Sequence, residues 1–189
     1  MIEKLPFTLE TELERRIASD PVWREGVEWG QPRTGHLEGA VKNHIADILA
    51  NIEKQQVTPE ERRDLRLIAL LHDTLKYHVN EKLPKIGVNH HAYLARRFAE
   101  RYIHDPTLLD IIELHDEAYN AWRIGHFRGK WDRAQERVEL LLRRLGGAMS
   151  LYVHFFCADS LTESKDRAPV LWFMSYLADH GYHVAGCPS

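Results

Sequence analysis

The sequence predicts an all-α protein, built as a single-domain bundle of about seven or eight helices. Apolar residues recur at steps of three and four along most of the 189-residue chain, as on the buried faces of amphipathic helices. The sequence offers no alternating apolar and polar run bounded by hairpin turns. It also has no internal repeat, and its length suits one domain. We therefore expect residues 1–189 to share one hydrophobic core.

The individual helices follow from this periodicity and from local start signals. Thr58-Pro59-Glu60-Glu61 provides an N-cap, a proline at the first helical position and acidic residues in the first turn. Asp105-Pro106 starts another helix in the same way. The predicted helices span about 8–19, 37–54, 58–72, 90–102, 105–116, 131–145, 148–162 and 168–179.

Three segments between these helices are predicted to be irregular. Residues 20–35 contain two prolines and three glycines, residues 77–88 contain one of each, and residues 119–130 contain two glycines. Proline lacks a backbone donor and glycine weakens a helix, so these residues favour loops. We expect the segment 77–88 to lie over the C-terminal end of the helix at 58–72.

Composition and charge exclude several classes of protein. The chain is 44% hydrophobic and 28% charged with a formal net charge of −3, so it has no basic bias toward nucleic acid. Its N-terminus lacks the apolar segment of a signal peptide, and no apolar run reaches the length of a membrane span. These features predict a cytoplasmic protein with no membrane or nucleic-acid partner, and they leave homo-oligomer formation open.

The most informative feature is a His-Asp pair, His72-Asp73, at the end of an apolar helical run. An imidazole and a carboxylate beside the core are costly to desolvate unless a partner neutralises them. A cation would do so, and these ligand types suit Zn, Fe and Mn. His44 and Asp159 also lie on apolar helix faces. The alternative is that His72 faces the helix dipole, Asp73 caps a loop, and the other two make ordinary hydrogen bonds.

The order of these residues along the chain resembles a known family. His44, then His72-Asp73, then a late Asp159 resemble the metal ligands of the HD superfamily of metal-dependent phosphohydrolases. The string His72-Asp73-Thr74-Leu75-Lys76 looks like the family's His-Asp-x-x-Lys, and Ala158-Asp159-Ser160 looks like its late small residue-Asp-Ser.

A further string extends the resemblance toward the N-terminus. His36-Leu37-Glu38-Gly39, followed by His44, is similar to the start of the HD domain in bacterial CCA-adding enzymes, with Leu37 where proline is usual. The resemblance therefore covers roughly residues 34–162, with helical extensions at both ends.

The resemblance implies one divalent ion and allows a second. The first would be Mn, Fe, Co, Ni, Zn or Mg, held by His44, His72, Asp73 and Asp159. For the second ion, His91 with Ala95 four residues later resembles the family's His-x-x-x-Gly/Ala, and His115 corresponds in order to the other histidine ligand. His90 is the rival of His91 for this role.

The resemblance also suggests how a phosphate substrate would be handled. Asp73 and Lys76 are the candidate catalytic residues, because a protonated ammonium cannot ligate a metal but can bind a phosphate oxygen. Arg123, Arg128 and Lys130 are further candidate substrate-binding residues, since they lie in a segment whose glycines allow close approach of a ligand. For each of these cations the alternative is a solvated surface side chain.

The expected activity is hydrolysis of a small-molecule phosphate ester, with a nucleotide as the favoured substrate class. Two alternatives stay open. The resemblance also permits a di-iron oxygenase, because some HD proteins activate O₂ with the same six ligands, and it permits a regulatory module that binds metal and ligand without turnover. Bound metal and O₂ consumption distinguish these functions, whereas ligand spacing does not.

Overall fold

The computed structural model describes residues 4–32, 37, 39–162 and 165–182. Throughout these ranges the regular elements are helices, so the all-α prediction is confirmed, and all eight predicted helices are present. The string at residues 36–39 lies partly outside the described residues, since His36 and Glu38 are not among them. The α-helices of the described part are α1 (Glu12–Ala18), α2 (Pro21–Glu28), α3 (Val41–Ile52), α4 (Pro59–Leu71), α5 (His91–Ala99), α6 (Pro106–Leu114), α7 (Glu117–Arg128), α8 (Trp131–Leu145), α9 (Met149–Ser160) and α10 (Ala168–Asp179).

Helix α2 lies in the segment 20–35, where the loop prediction was wrong. The Asp20 carboxylate caps α2 by accepting a hydrogen bond from a backbone N–H two residues on, and Pro21 occupies the first turn. Gly26 sits inside this helix because a Cβ atom there would lie 1.9 Å from the backbone oxygen of Thr74. The glycine therefore marks a close approach between two parts of the chain, not a break in the helix.

Helix α7 likewise replaces most of the irregular segment predicted at 119–130. It ends at Gly129, whose φ of 64° gives the left-handed conformation of a helix C-cap. Gly125 lies within the helix against the indole of Trp131, since a Cβ atom there would lie 2.1 Å from the indole Cε3. Its missing side chain admits a neighbouring aromatic ring, so the expected approach of a ligand to this glycine is not what the structure shows.

The segment 77–88 has no α-helix, as predicted, and contains only short 3₁₀ turns at its ends. Further 3₁₀ residues at Gly146–Ala148 join α8 to α9. In the described ranges no helix combines the length and the apolar character needed to cross a membrane.

Helix α9 is the central element of the bundle. Nine of its twelve residues are buried, including Tyr152, Phe155 and Phe156, so it is covered on nearly every side. Helices α3 and α4 pack against α9, the α5–α6 pair packs against α4, and α10 packs against α7 and α9. As a result the C-terminal end of α4 is enclosed by neighbouring helices.

The N-terminal helices hold that end of α4 in place. The Trp23 indole N–H of α2 donates a buried hydrogen bond to the Leu70 carbonyl at 2.7 Å. Arg66 of α4 forms a buried ion pair with Glu14 of α1, with Nε 2.8 Å from Oε1. Leaving one member of such a buried pair without its partner is strongly destabilising. These contacts fix the position of the chain that follows α4.

Candidate metal centre

The predicted ligands come from the ends or buried faces of five helices. A helix end brings a side chain to the point where several elements meet, and the apolar periodicity of each helix determines which face is buried. The positions are His44 on the buried face of α3, His72 at the C-cap of α4 with Asp73 next to it, His91 as the first residue of α5, His115 at the C-cap of α6, and Asp159 in the last turn of α9.

The Asp73 carboxylate lies between two pairs of imidazoles. Its Oδ2 atom is 3.4 Å from His72 Nε2 and 3.9 Å from His44 Nε2. Its Oδ1 atom is 3.4 Å from His91 Nε2 and 3.6 Å from His115 Nε2. Each carboxylate oxygen thus faces one pair of rings.

The tautomers of two rings show why this arrangement suits a cation. His72 and His115 each donate Nδ1–H to a carbonyl three residues earlier in their helices, over 3.0 and 2.8 Å. When such a ring is neutral, as a metal ligand must be, its Nε2 lone pair points at the Asp73 carboxylate, which can only accept. Among the described residues, His72 Nε2 and Asp73 Oδ1 have no hydrogen-bond partner although both atoms are buried. A metal ion satisfies such facing lone pairs.

The spacing of these atoms also suits metal ions. Bonds of about 2.0 to 2.2 Å to nitrogen and oxygen place neighbouring ligands of one ion roughly 3 to 3.5 Å apart. The His91 and His115 Nε2 atoms are 3.3 Å apart. Two ligand groups meet on the shared carboxylate, one formed by His44, His72 and Asp73 and the other by Asp73, His91 and His115. The residues present fit two ions as well as one.

Asp159 lies beside the first group. Its Oδ1 atom is 2.8 Å from His44 Nε2 and 2.8 Å from the Lys165 ammonium, which also donates to the Asp159 carbonyl. Burial would raise the pKa of Asp159, but the charge of Lys165 and the hydrogen bond with His44 hold it well below its usual value. The carboxylate is therefore ionised, and it contacts the group formed by His44, His72 and Asp73 at His44. Lys165 was not identified from the sequence, where it is one lysine among many.

Lys76 lies next to the cluster, as expected. Its ammonium contacts Asp73 Oδ2, and 24% of its side chain is exposed. Burial would lower the pKa of Lys76, but the adjacent carboxylate raises it above the ordinary value. Burial would raise the pKa of Asp73, yet Lys76 and the neighbouring imidazoles hold it well below its usual range. Both groups are charged, and the lysine retains an exposed part that can face a substrate.

The His91 and His115 rings have opposite pKa shifts. Burial lowers the pKa of His91 to about 3, so this ring is neutral and can ligate a metal. Burial also acts to lower the pKa of His115, but its close contact with the Asp73 carboxylate and the charge of Asp116 raise it to about 9. Since a metal ligand must give up its proton, metal binding at this pair would release the proton of His115.

The structure distinguishes His91 from its rival, His90. The His90 Nδ1 atom accepts a hydrogen bond from the Ala92 N–H and so caps α5, whereas His91 faces Asp73. The Nε2 atoms of His90 and His91 lie 3.7 and 3.8 Å from Asp116 Oδ2. Sequence reasoning missed Asp116. The signal was a second His-Asp dipeptide at the end of a helix.

Two of the three cations proposed to bind substrate line a large cleft. The cleft has a volume of about 730 Å³, and its lining includes Arg123, Arg128 and His90. Lys130, the third of these cations, is not among the residues that line the cleft. The cleft reaches the metal-ligand cluster at His90, whose ring centroid is 4.5 Å from that of His91.

Comparison with known proteins identifies the family. A family model for the HD domain matches residues 41–151, more than half of the chain. The match includes every predicted ligand except Asp159, whose place in the cluster depends on its 2.8 Å contact with His44. Searches of curated proteins and of solved structures find no match. The resemblance seen in the sequence is therefore confirmed, and the chain belongs to the HD domain family.

Proposed function

We propose that this protein is a metal-dependent phosphohydrolase that acts on a small-molecule phosphate ester, with a nucleotide as the favoured substrate class. The observation that carries the proposal is the position of Asp73, with one oxygen facing His44 and His72 and the other facing His91 and His115. This arrangement matches what two-metal phosphate chemistry requires, namely two ligand groups that share one carboxylate.

The ligand set leaves positive charge available for a substrate. Bound divalent ions supply Lewis-acid polarisation of a phosphoryl oxygen and lower the pKa of water. Four of the ligands are imidazoles, which bind as neutral groups, so they cancel none of the metal charge. Asp73 contributes one negative charge that the two groups share. Asp159 is already paired with Lys165, which reduces its negative charge toward the cluster.

Lys76 would supply a further positive charge beside the metal ligands. Its ammonium contacts Asp73, and part of its side chain is exposed. A fixed cation here can bind a phosphate oxygen and offset the charge that develops during transfer. This role is that of a substrate-binding catalytic residue and not that of a metal ligand, because the ammonium carries no lone pair.

The test is a panel of phosphomonoesters and phosphodiesters assayed with Mn, Co, Ni, Mg, Zn and Fe(II), with metal content measured on the same samples. We expect hydrolysis that depends on added metal and is lost in His91→Gln and in Asp73→Asn. Arg133→Gln is the matched control, because that exposed cation does not line the cleft.

Two results would contradict the proposal. Fe(II)-dependent O₂ consumption without phosphate release would favour the di-iron oxygenase. Metal binding with neither activity would favour a regulatory module.

A further inference from the structure

The cleft beside the metal-ligand cluster has a composition that selects a particular class of ligand. It lies between the loop around Ile86, helices α5 and α6, and helices α7 and α8. Its volume of about 730 Å³ is in the range of small-molecule sites. Because it adjoins the cluster at His90, a molecule whose phosphate reaches the cluster would extend into it.

Most of the fixed cations that line the cleft are already neutralised. Arg137 makes two hydrogen bonds of 2.6 Å to Glu117. Arg144 pairs with Glu113, and Lys85 lies 2.6 Å from a glutamate four residues earlier. These ion pairs stabilise the walls and leave little charge for a ligand.

Arg123 and Arg128 differ from the other cations of the cleft. Among the described residues, neither guanidinium has a carboxylate oxygen within ion-pair distance. The guanidinium of Arg123 lies 5.7 Å from the centroid of the Tyr119 ring, a contact that does not neutralise its charge. Two unneutralised guanidinium groups at the wall of one cleft favour an anionic ligand, since arginine matches the geometry of phosphate and carboxylate.

Exposed apolar side chains on two different elements line the same cleft. Phe127 of α7 is 68% exposed and Ile86 of the loop is 73% exposed, and both line the cleft. The loop is held in shape by Asn89, which accepts a hydrogen bond from the Asn80 N–H at 2.9 Å and donates to the Asn80 and Pro84 carbonyls. Ile86 is therefore presented by a compact loop, and covering it and Phe127 with a flat apolar group would be favourable.

We propose that the cleft selects phosphate esters that carry both an aromatic group and a second anionic group. The aromatic group would contact Ile86 and Phe127, and the second anion would bind Arg123 and Arg128, while the scissile phosphate occupies the cluster. This inference rests on the proposed function, because the scissile phosphate defines the orientation of the ligand.

The experiment compares three matched probes: ribose 5-phosphate, adenosine 5′-monophosphate and adenosine 3′,5′-bisphosphate. Binding is measured on the metal-loaded protein by stopped-flow tryptophan fluorescence, read before turnover, and hydrolysis is measured separately. We expect affinity to rise about tenfold when the base is added, because it covers apolar surface. We expect a further rise of about tenfold with the second phosphate, as for hydrogen bonds to a charged group.

The variants assign each step to its residues. Phe127→Ala should remove the gain from the base, and Leu171→Ala, equally exposed at 68% but away from the cleft, should not. The double variant Arg123→Gln, Arg128→Gln should remove the gain from the second phosphate, whereas Arg133→Gln, at an exposed cation that does not line the cleft, should leave it unchanged.

The two proposals can fail independently. Hydrolysis of all three probes with equal affinity would overturn the cleft assignment and leave the phosphohydrolase proposal standing. In a second result, the affinity rises from probe to probe and the cleft variants abolish the increase, while no probe is hydrolysed with any of the metals. That result would overturn the phosphohydrolase proposal and keep the cleft as an anion site. Equal effects of cleft and control variants would also overturn the cleft assignment.

Discussion

Replacing Gly26 with alanine tests whether α2 supports the segment that carries the metal ligands. The added Cβ atom would lie 1.9 Å from the Thr74 backbone oxygen, so the two backbones must separate by about 1.1 Å to restore a contact of 3.0 Å. Overpacking of this kind costs roughly 1 to 3 kcal/mol, and the better helix propensity of alanine returns at most about 1 kcal/mol. We expect a net loss of about 1 to 2 kcal/mol, or a lower Tm by roughly 2 to 8 °C.

The assay is thermal and urea unfolding with and without added Mn. Since Thr74 follows Asp73 directly, the displacement should also weaken metal binding, and the loss should be larger with metal present. Gly147→Ala is the matched control, because its Cβ atom would meet nothing within 4 Å and its φ is ordinary. Wild-type stability in Gly26→Ala, or an equal loss in both variants, would refute the reasoning.

Three further perturbations address other parts of the account. Lys76→Met should lower kcat/KM on the order of 100-fold at unchanged metal content, and loss of metal would instead show a structural role. Trp23→Phe removes the donor to the Leu70 carbonyl and should cost about 1 to 2 kcal/mol in urea unfolding. Burial opposes the low pKa of Asp20, but the Tyr102 hydroxyl and backbone donors hold it below 3.8. The stability that wild type gains over Asp20→Asn should therefore be complete above about pH 5 and decline as the pH falls below 3.8, whereas a constant difference would contradict this assignment.

Much of the fold follows from local features of the sequence. The Asp105 and Thr58 caps start the helices where predicted, because a side-chain acceptor next to a proline satisfies the first backbone donors locally. Helix α9 could be recognised because most of its residues are apolar. These signals depend only on neighbours in the chain, so a single sequence is sufficient to read them.

The helices α2 and α7 could not be predicted in the same way. Their glycines, Gly26 and Gly125, contradict a helix when only intrinsic propensity is considered. In the fold each glycine accommodates a distant group, Thr74 in one case and Trp131 in the other. Each glycine is explained by a tertiary contact, which the neighbouring residues in the sequence do not reveal.

In the candidate site, too, some features could be predicted from the sequence and others depend on tertiary contacts. The order of His44, His72, Asp73 and the later ligands was visible because the family spaces them along the chain. Which cations remain available to a ligand was not visible, since it depends on the ion pairs that Arg137 and other residues lining the cleft form in the fold. The number of cations in a segment does not show which of them form ion pairs in the folded protein.

The number of metal ions per chain tests the central claim most directly. Wild type, His91→Gln and His90→Gln would be loaded with Mn, freed of excess metal and measured by plasma mass spectrometry against protein concentration. The account predicts two ions in wild type, one in His91→Gln and two in His90→Gln, because His91 faces Asp73 while His90 caps α5. Wild-type protein that retains no ion, or a His91→Gln variant that binds as many ions as wild type, would contradict it.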